Sequence, residues 1–420
     1  MSTIGQRAIV IGAGMGGLTA ARALAPYFEH VVVIERDRLP TDPSTRHGVP
    51  QAKHVHALLA GGQRALAELF SKFESDLTSA GAVPVRVGFD IRMERPGYDP
   101  FPKRDLGFDS YALSRALIEF LTRARLDAHV NVEIRQRARV ERLIADERRT
   151  ITGVEYVDAD GKRTALDAQL VIEASGRGDL TLAVLDSLAL PRPPATTIGV
   201  DIAYASAIYE IPHDAPDDWK GVFHLPMPRS SRGALLLPLE GRRFRTSTVY
   251  DAIRAAKRLG DIVRYRFPES IHRHYERLET FPSGLLLLGD AVCRFNPVWG
   301  QGMSVAAQEA GALGRLLAER AGERDPLDGL ARAFFAETAA LIVTPWAQAV
   351  IPDFIHPKTR GERPADFEQS VKLAMAMTKL AARDPAVHKL TAEVGSLLKP
   401  RSVYLDPELG RRVLAVMSEG

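Results

Sequence analysis

Apolar and polar positions change period twice within the first forty residues. Ala8–Ile11 is an unbroken apolar run, Leu18–Leu24 spaces its apolar residues as a helix does, and Val31–Ile34 is again unbroken. Short apolar runs bounded by turn residues predict buried strands, so the segment reads strand, glycine turn, helix, strand. Gly48 and Pro50 mark a turn, after which His54–Leu69 has helical periodicity. Val83–Met93 alternates and predicts a half-buried strand or hairpin arm. The stretch "DSYALSRALIEFLTRA" predicts a helix with Leu113, Leu117 and Leu121 on one face and Asp109 or Ser110 as N-cap. Strands are expected at Val130–Ile134, Ala138–Ile144, Ile151–Val157 and Leu170–Glu173, with Asp160–Gly161 as a hairpin turn.

The pattern changes beyond Pro191. Prolines cluster at Pro191–Pro194 and recur at Pro212, Pro216, Pro226 and Pro228, between strand-like runs at Thr197–Ile211, Gly233–Leu239 and Arg243–Tyr250. This predicts an antiparallel sheet inserted into an α/β fold. Strict alternation along Thr197–Ile211 places Ile198, Val200, Ile202 and Tyr204 on one face, expected to line a pocket or core beneath the ligand, with Thr197, Asp201 and Ala203 on the other. Leu285–Leu288 is a further buried strand, and beyond Gly311 the pattern is helical at Ala312–Ala321, Leu330–Ile342, Asp366–Ala382 and Pro385–Leu398. The expected organisation is discontinuous. Residues 1–82, 106–182 and 281–325 form a nucleotide-binding domain, 83–105 and 183–280 a substrate-binding sheet domain, and 326–420 a helical C-terminal region.

Composition narrows the function. The chain has 420 residues, 45% hydrophobic and 25% charged, which is enough to bury a large core without staples. A net charge of +3, with no basic run interleaved with aromatics, argues against nucleic-acid binding. A single cysteine, Cys293, excludes an internal disulfide and points to a reducing compartment. The apolar runs fall short of the roughly 20 residues that cross a bilayer. The apolar N-terminus carries glycines at functional spacing, not a signal-peptide cleavage site. A cytoplasmic enzyme is the expectation.

Gly12, Gly14 and Gly17 form G-x-G-x-x-G between a strand and a helix, and Glu35 closes the second strand 18 residues later. Gly12 permits the tight turn, Gly14 lets the backbone approach a pyrophosphate, and Gly17 lets helix and strand pack closely. The helix N-terminus faces the phosphates. Glu35 can accept both hydroxyls of an adenosine ribose and would repel a 2′-phosphate. The motif alone does not separate NAD from FAD. "LVIEASGRGDL" supplies only Gly176 and Gly178 after its strand, so one dinucleotide domain is expected, and electrons must come from a transiently docked NAD(P)H or from a partner flavin reductase.

A second glycine segment, "GDAVCRFNPVWGQGMSVAAQEAG", follows Leu285–Leu288. Its strand delivers Gly289 and Asp290 to the carboxyl edge of a parallel sheet, where ligands bind. Asp290 can accept from a polyol, and the helix opening at Met303 can stabilise negative charge on a flavin ring edge. One long ligand gripped at both ends fits FAD and exceeds what NAD requires. His54 and His56 form H-x-H without a further ligand cluster, so packed structural histidines are favoured over metal, and no metal is expected. Cys293 reads as a small buried filler.

At these residues the chain resembles the flavin-dependent monooxygenases built like para-hydroxybenzoate hydroxylase. "GAGMGG", Glu35, Ser114–Arg115–Leu117 and G-D-A…P-x-x-G-Q-G match in order. "GVPQAKHVHALLAGG", "EASGRGD", "GDAVCRFNPVWGQGM" and "TPW" at Thr344–Trp346 add a narrower resemblance to bacterial epoxidases of the polyether polyene and squalene epoxidase type. The resemblance implies a glutathione-reductase-type FAD-binding fold. It implies cofactor contacts from Gly12, Gly14, Gly16, Gly17, Glu35, Arg36, Arg46, Arg115, Val140, Asp290, Gly300, Gly302 and Met303, and a reactive turn of Pro297, Trp299, Gly300 and Gln301. The implied chemistry is a flavin C4a-hydroperoxide, formed with O2, that hydroxylates or epoxidises an apolar unsaturated or aromatic small molecule. Phenol hydroxylation would also need a base or donor, for which Tyr204, His224 and Tyr250 are candidates. Two departures stand out: "EASGRGD" replaces a D-G dipeptide linked to nicotinamide use, and Trp299 replaces a tyrosine. Double-bond reduction of the geranylgeranyl-reductase type and non-redox cyclisation on an FAD scaffold remain as alternatives. The tryptophan-rich motif and lysine segment of flavin halogenases are not evident.

Overall fold

The computed structural model describes residues 3–94, 101–212, 218–226, 232–241, 243–247 and 256–419. Four sheets organise them. The first is a five-stranded parallel sheet in the order Leu285–Leu287, Leu170–Glu173, Gly5–Ile11, Phe28–Ile34, Val132–Arg135. Its strands are buried on both sides, as crossover connections demand. Ala8, Val10, Val31 and Val33 face the helical core, while Ile9, Ile11, Val32 and Ile34 face the three-stranded antiparallel sheet of Arg139–Ala145, Ile151–Val157 and Arg163–Asp167. Val140 lies in this second apolar layer.

A seven-stranded sheet runs Cys293–Arg294, Val263–Arg273, Ala195–Glu210, Arg243–Ser247, Ala234–Leu239, Gly221–His224, Ile91–Glu94. Its pairs are antiparallel except the last. The C-terminal part is helical: Gly302–Arg320, Leu330–Asp353, Phe367–Arg383, Pro385–Gly395 and Pro407–Ser418. The fold is thus α/β with a parallel sheet, an antiparallel sheet and a helical C-terminal region, as expected.

Four local expectations are corrected. The helix expected from His54 begins at Ala60. Residues 54–59 are irregular because Leu58 forms a bridge with Tyr111 and its carbonyl accepts from Ser110 Oγ at 2.8 Å. The helix expected from Asp109 or Ser110 begins at Arg115, capped by Ser114, whose Oγ accepts from Leu117 N. Asp109–Ala112 is instead a strand paired with Val83–Arg86. Val83–Met93 is not one arm: Gly88 turns the chain at φ +84°, and Ile91–Glu94 joins another sheet.

The fourth correction concerns Thr197–Ile211. A bulge between Gly199 and Ile202 adds one residue against Val263–Arg273, with Asp201 at φ +45°. A single added residue flips side-chain direction. Ile198 therefore lies on the face opposite Ile202 and Tyr204, and Ile198 and Val200 pack with Val350, Phe354 and Phe367 of the C-terminal helices. The part of Arg243–Tyr250 beyond Ser247, with Tyr250 itself, lies outside the described residues, as do Pro216 and Pro228.

Among the described residues one helix, Leu330–Asp353, is long and apolar enough to cross a membrane, against the sequence expectation. It contains Pro345 and Pro352, and buries Phe334, Phe335, Ile342, Ala349 and Val350 in the protein.

Candidate active site

The two glycine segments meet. A Cβ on Gly16 would lie 3.0 Å from Leu288 Cδ2 and 3.8 Å from Ala306 Cβ, so the first helix (Met15–Leu24) and the late helix (Gly302–Arg320) converge at their N-terminal ends. Gly12 sits at φ +100°, and a Cβ there would lie 2.8 Å from the Ala174 carbonyl. A Cβ on Gly17 would overlap the Gly12 carbonyl at 1.8 Å. Only glycine allows this turn.

Around the turn the charges are arranged for an anion. The first helix has no side-chain cap and no acidic residue in its first turn. A Cβ on Gly14, its N-cap, would stand 3.9 Å from Arg46 Nη2 and 4.0 Å from Arg115 Nη2. Two buried guanidiniums thus border a helix N-terminus, which suits a pyrophosphate. Glu119 holds both: Arg46 Nε donates to its Oε1 at 2.6 Å, and Arg115 Nη2 lies 3.3 Å from its Oε2. Arg46 also pairs with Glu35 at 3.2 Å and Asp37 at 2.8 Å. Glu35 is buried and accepts from Ala13 N at 2.7 Å and Asp37 N at 2.9 Å. Arg36 is exposed beside it. Val140 is two residues past Ala138, whose N–H donates to the Glu35 carbonyl at 2.9 Å.

Asp290 links the two ends. Burial raises its pKa, and the charges of Arg115 and Arg294 oppose that rise. A Cβ on Gly302 would lie 3.5 Å from Asp290 Oδ1. Gly289 N donates to Glu309 Oε2 at 2.7 Å, and burial pushes the Glu309 carboxyl up to about 8. The late helix also lacks a side-chain cap and first-turn acids, leaving its N–H groups at Gly302 and Met303 for a ligand.

The Pro297–Trp299 turn is fixed from both sides. Asn296 Oδ1 accepts from Val298 N at 3.1 Å and from the Tyr204 hydroxyl at 3.1 Å, and its Nδ2 donates to Asp353 Oδ1 at 2.7 Å. Burial pushes Asp353 up to about 7, and its Oδ2 has no partner among the described residues. Gly300 is left-handed at φ +63° against Ala57. Gln301 is buried, and its Nε2 donates to Gln348 Oε1 at 2.7 Å. Trp299 Nε1 is buried without a partner among the described residues. Tyr204 and Tyr265 are tilted 6.4 Å apart, and both lie near His54.

His54 and His56 are hydrogen-bonded, His54 Nδ1 to Ser206 Oγ at 2.9 Å and His56 Nδ1 to the His54 carbonyl at 3.0 Å. Cys293 is buried, as expected. Glu173 accepts from Thr181 N at 2.8 Å and Ser175 Oγ at 2.7 Å, so "EASGRGD" caps its own helix. His224 pairs with Glu94 at 3.2 Å, in a strand second from the sheet edge opposite Cys293–Arg294, and does not join the site. Sequence reasoning missed Glu119, Asn296, Glu309, Tyr265 and Asp353. Arg115 and Glu119 are spaced i, i+4, and Asn296 precedes a proline, so two of these carried a local signal. The other three depend on long-range packing.

Residues 8–184 match the family model described as FAD dependent oxidoreductase. The chain is 30% identical over 440 residues to Protein Rv3254 of Mycobacterium tuberculosis, covering 96% of this chain and 92% of that protein. The chain belongs to the FAD-dependent oxidoreductase family. The flavin-dependent brominase Bmp2 shares the fold of this flavoenzyme, with a TM-score of 0.66 at 14% identity over 99% of both chains. So does p-nitrophenol 4-monooxygenase PnpA from Pseudomonas putida DLL-E4, with a TM-score of 0.65 at 18% identity over 96% of this chain and 100% of that chain. The residues present fit FAD: an uncapped helix end between two guanidiniums for the pyrophosphate, a carboxylate for a polyol, and a second uncapped helix end for the ring.

Proposed function

We propose that this flavoenzyme is a monooxygenase that hydroxylates or epoxidises a small unsaturated or aromatic molecule with an apolar body. The observation that carries the reading is the meeting of the two glycine segments, with Arg115 and Asp290 between them. Gly12, Gly14, Gly16, Gly17, Glu35, Arg36, Arg46 and Val140 would hold the adenosine and pyrophosphate. Arg115 and Asp290 would hold the ribityl chain, and Gly300, Gly302 and Met303 the ring. Bound FAD would supply the electrons and the activation of O2; NAD(P)H or a partner flavin reductase would reduce it.

The chain's own residues then position and exclude. The helix N-terminus at Gly302 would stabilise negative charge on a ring edge. Pro297, Trp299 and Gln301 would form the turn on the substrate side of the ring, with Gln301 anchored to Gln348. Tyr204, Tyr265 and Trp299 offer an aromatic wall, which suits a conjugated substrate and keeps water out. The Ile198 and Val200 side chains are occupied by helix packing and are not part of that wall. Asp353 holds a proton below about pH 7 within hydrogen-bond reach of Asn296.

The test uses purified FAD-loaded protein, NADH, NADPH or an added flavin reductase, and a panel of polyenes and phenols under 18-O2. One labelled oxygen in the product supports the reading. Product without label, or bromine incorporated from added bromide, overturns it.

A further inference from the structure

Val263–Arg273 leaves the seven-stranded sheet as "IHRHYER", and its chemistry is not used by the flavin site. His272 and His274 are two residues apart, so their side chains fall on the same side of the chain, and Glu276 follows in the short turn Tyr275–Arg277. The ligand atoms of the three residues lie within 4.8 Å of one another. Both histidines are buried, and Glu276 opens to solvent. The ring centroids are 4.1 Å apart.

Two details distinguish this cluster from a packed pair of histidines. His272 is only 7% exposed, and its Nε2 has no hydrogen-bond partner among the described residues. A buried ring nitrogen without a partner costs free energy unless something fills its lone pair. His274 is already oriented as a ligand: its Nδ1 lies 2.9 Å from Glu276 Oε1 and its Nε2 lies 2.8 Å from Thr196 Oγ1. Metal-bound histidines characteristically use one ring nitrogen for the ion and the other for an outer hydrogen bond.

We propose that His272 Nε2, His274 Nδ1 and Glu276 Oε1 form a divalent metal site, with Zn2+ the ion that two imidazoles and one carboxylate suit. Bonds of about 2.0–2.2 Å at tetrahedral angles place donors about 3.3 Å apart, so the Nδ1–Oε1 gap opens by a few tenths of an ångström. Water from the open Glu276 side takes the fourth position. As the ion takes the Nδ1 lone pair, neutral His274 changes tautomer: its single proton moves from Nδ1 to Nε2 through solvent, with no net release. His274 then carries its proton on Nε2 and donates to Thr196. Arg277 Nε, 3.6 Å from Glu276 Oε1, competes for the carboxylate and weakens the site without blocking either imidazole. His272 pairs with Cys293 across the sheet and Thr196 lies on its other neighbour. The ion therefore clamps the end of this strand to the turn after it, beside the segment that runs from Asp290 to Asn296.

The test is calorimetric titration of ZnCl2 into chelator-treated, FAD-loaded protein. One ion per chain is expected, together with a higher melting temperature. His272→Ala and Glu276→Gln should each weaken binding at least tenfold while leaving FAD affinity unchanged. Glu276→Gln retains an acceptor for His274, so it decides the matter if His272→Ala does not fold. Absence of saturable Zn2+ binding, or wild-type affinity in Glu276→Gln, overturns the site.

Discussion

Glu35 shows how one carboxylate carries several duties. It accepts from Ala13 N and Asp37 N and pairs with Arg46, besides the ribose contact proposed for it. Glu35→Ala would unlatch the glycine turn as well as remove the ribose acceptor. Glu35→Gln keeps an acceptor oxygen for one of the two backbone N–H groups, and loses the charge and the second acceptor. It should weaken FAD binding by about 1–2 kcal/mol and lower the melting temperature less than Glu35→Ala, which removes both acceptors. Asp290→Ala is the cleaner probe of the far end. Charge-assisted bonds to polyol hydroxyls are worth roughly 1.5–3 kcal/mol, a loss of about ten- to a hundredfold in FAD affinity by fluorescence titration. Unchanged affinity would remove Asp290 from the site.

At the scale of elements, the late helix carries a pH signature. Glu309 has an ordinary value of 4.5 and is pushed up to about 8, first by burial and then by the Asp290 charge, with the Gly289 N–H opposing. The folded state holds a proton that the unfolded chain has released. Its contribution is complete below about pH 4.5 and falls by about 1.4 kcal/mol per pH unit until the folded group ionises near 8. Asp353 acts with the same sign between 3.8 and about 7, so pH 7–8 isolates Glu309. In flavin-free protein, Glu309→Gln should flatten the loss of melting temperature across that interval, since its amide oxygen still accepts from Gly289 N. An equally steep decline in the variant would show that Glu309 ionises normally. Helix contacts also rest on glycines. A Cβ on Gly62 would lie 2.4 Å from Ser304 Cα, so Gly62→Ala should separate the helix Ala60–Leu69 from the late helix and cost about 1–3 kcal/mol in denaturant melts.

Over the whole molecule, the proposed FAD site joins segments almost three hundred residues apart in sequence. FAD at a hundred times its Kd should stabilise the fold by about 2.7 kcal/mol. ADP, which reaches only the first segment, should give a smaller melting shift at equal concentration. Equal shifts from both would mean that Asp290 and Gly302 do not grip the flavin half.

The sequence by itself determined the strand–turn–helix at Gly12–Gly17, because glycine spacing and buried apolar runs are local signals. It also determined the parallel α/β class and the strand before Gly289 and Asp290. It missed the bulge at Val200–Asp201, since an added residue changes register only relative to the partner strand. It misplaced the start of two helices, at Ala60 and Arg115, because a strand pairing and a bridge to Tyr111 outcompeted helical periodicity. Only the tertiary structure brought Glu119 to both arginines, Asp353 to Asn296, and His272 to His274 and Glu276 in one cluster. Those contacts depend on packing between elements distant in the chain or on a strand's exit angle, and neither leaves a period in the sequence.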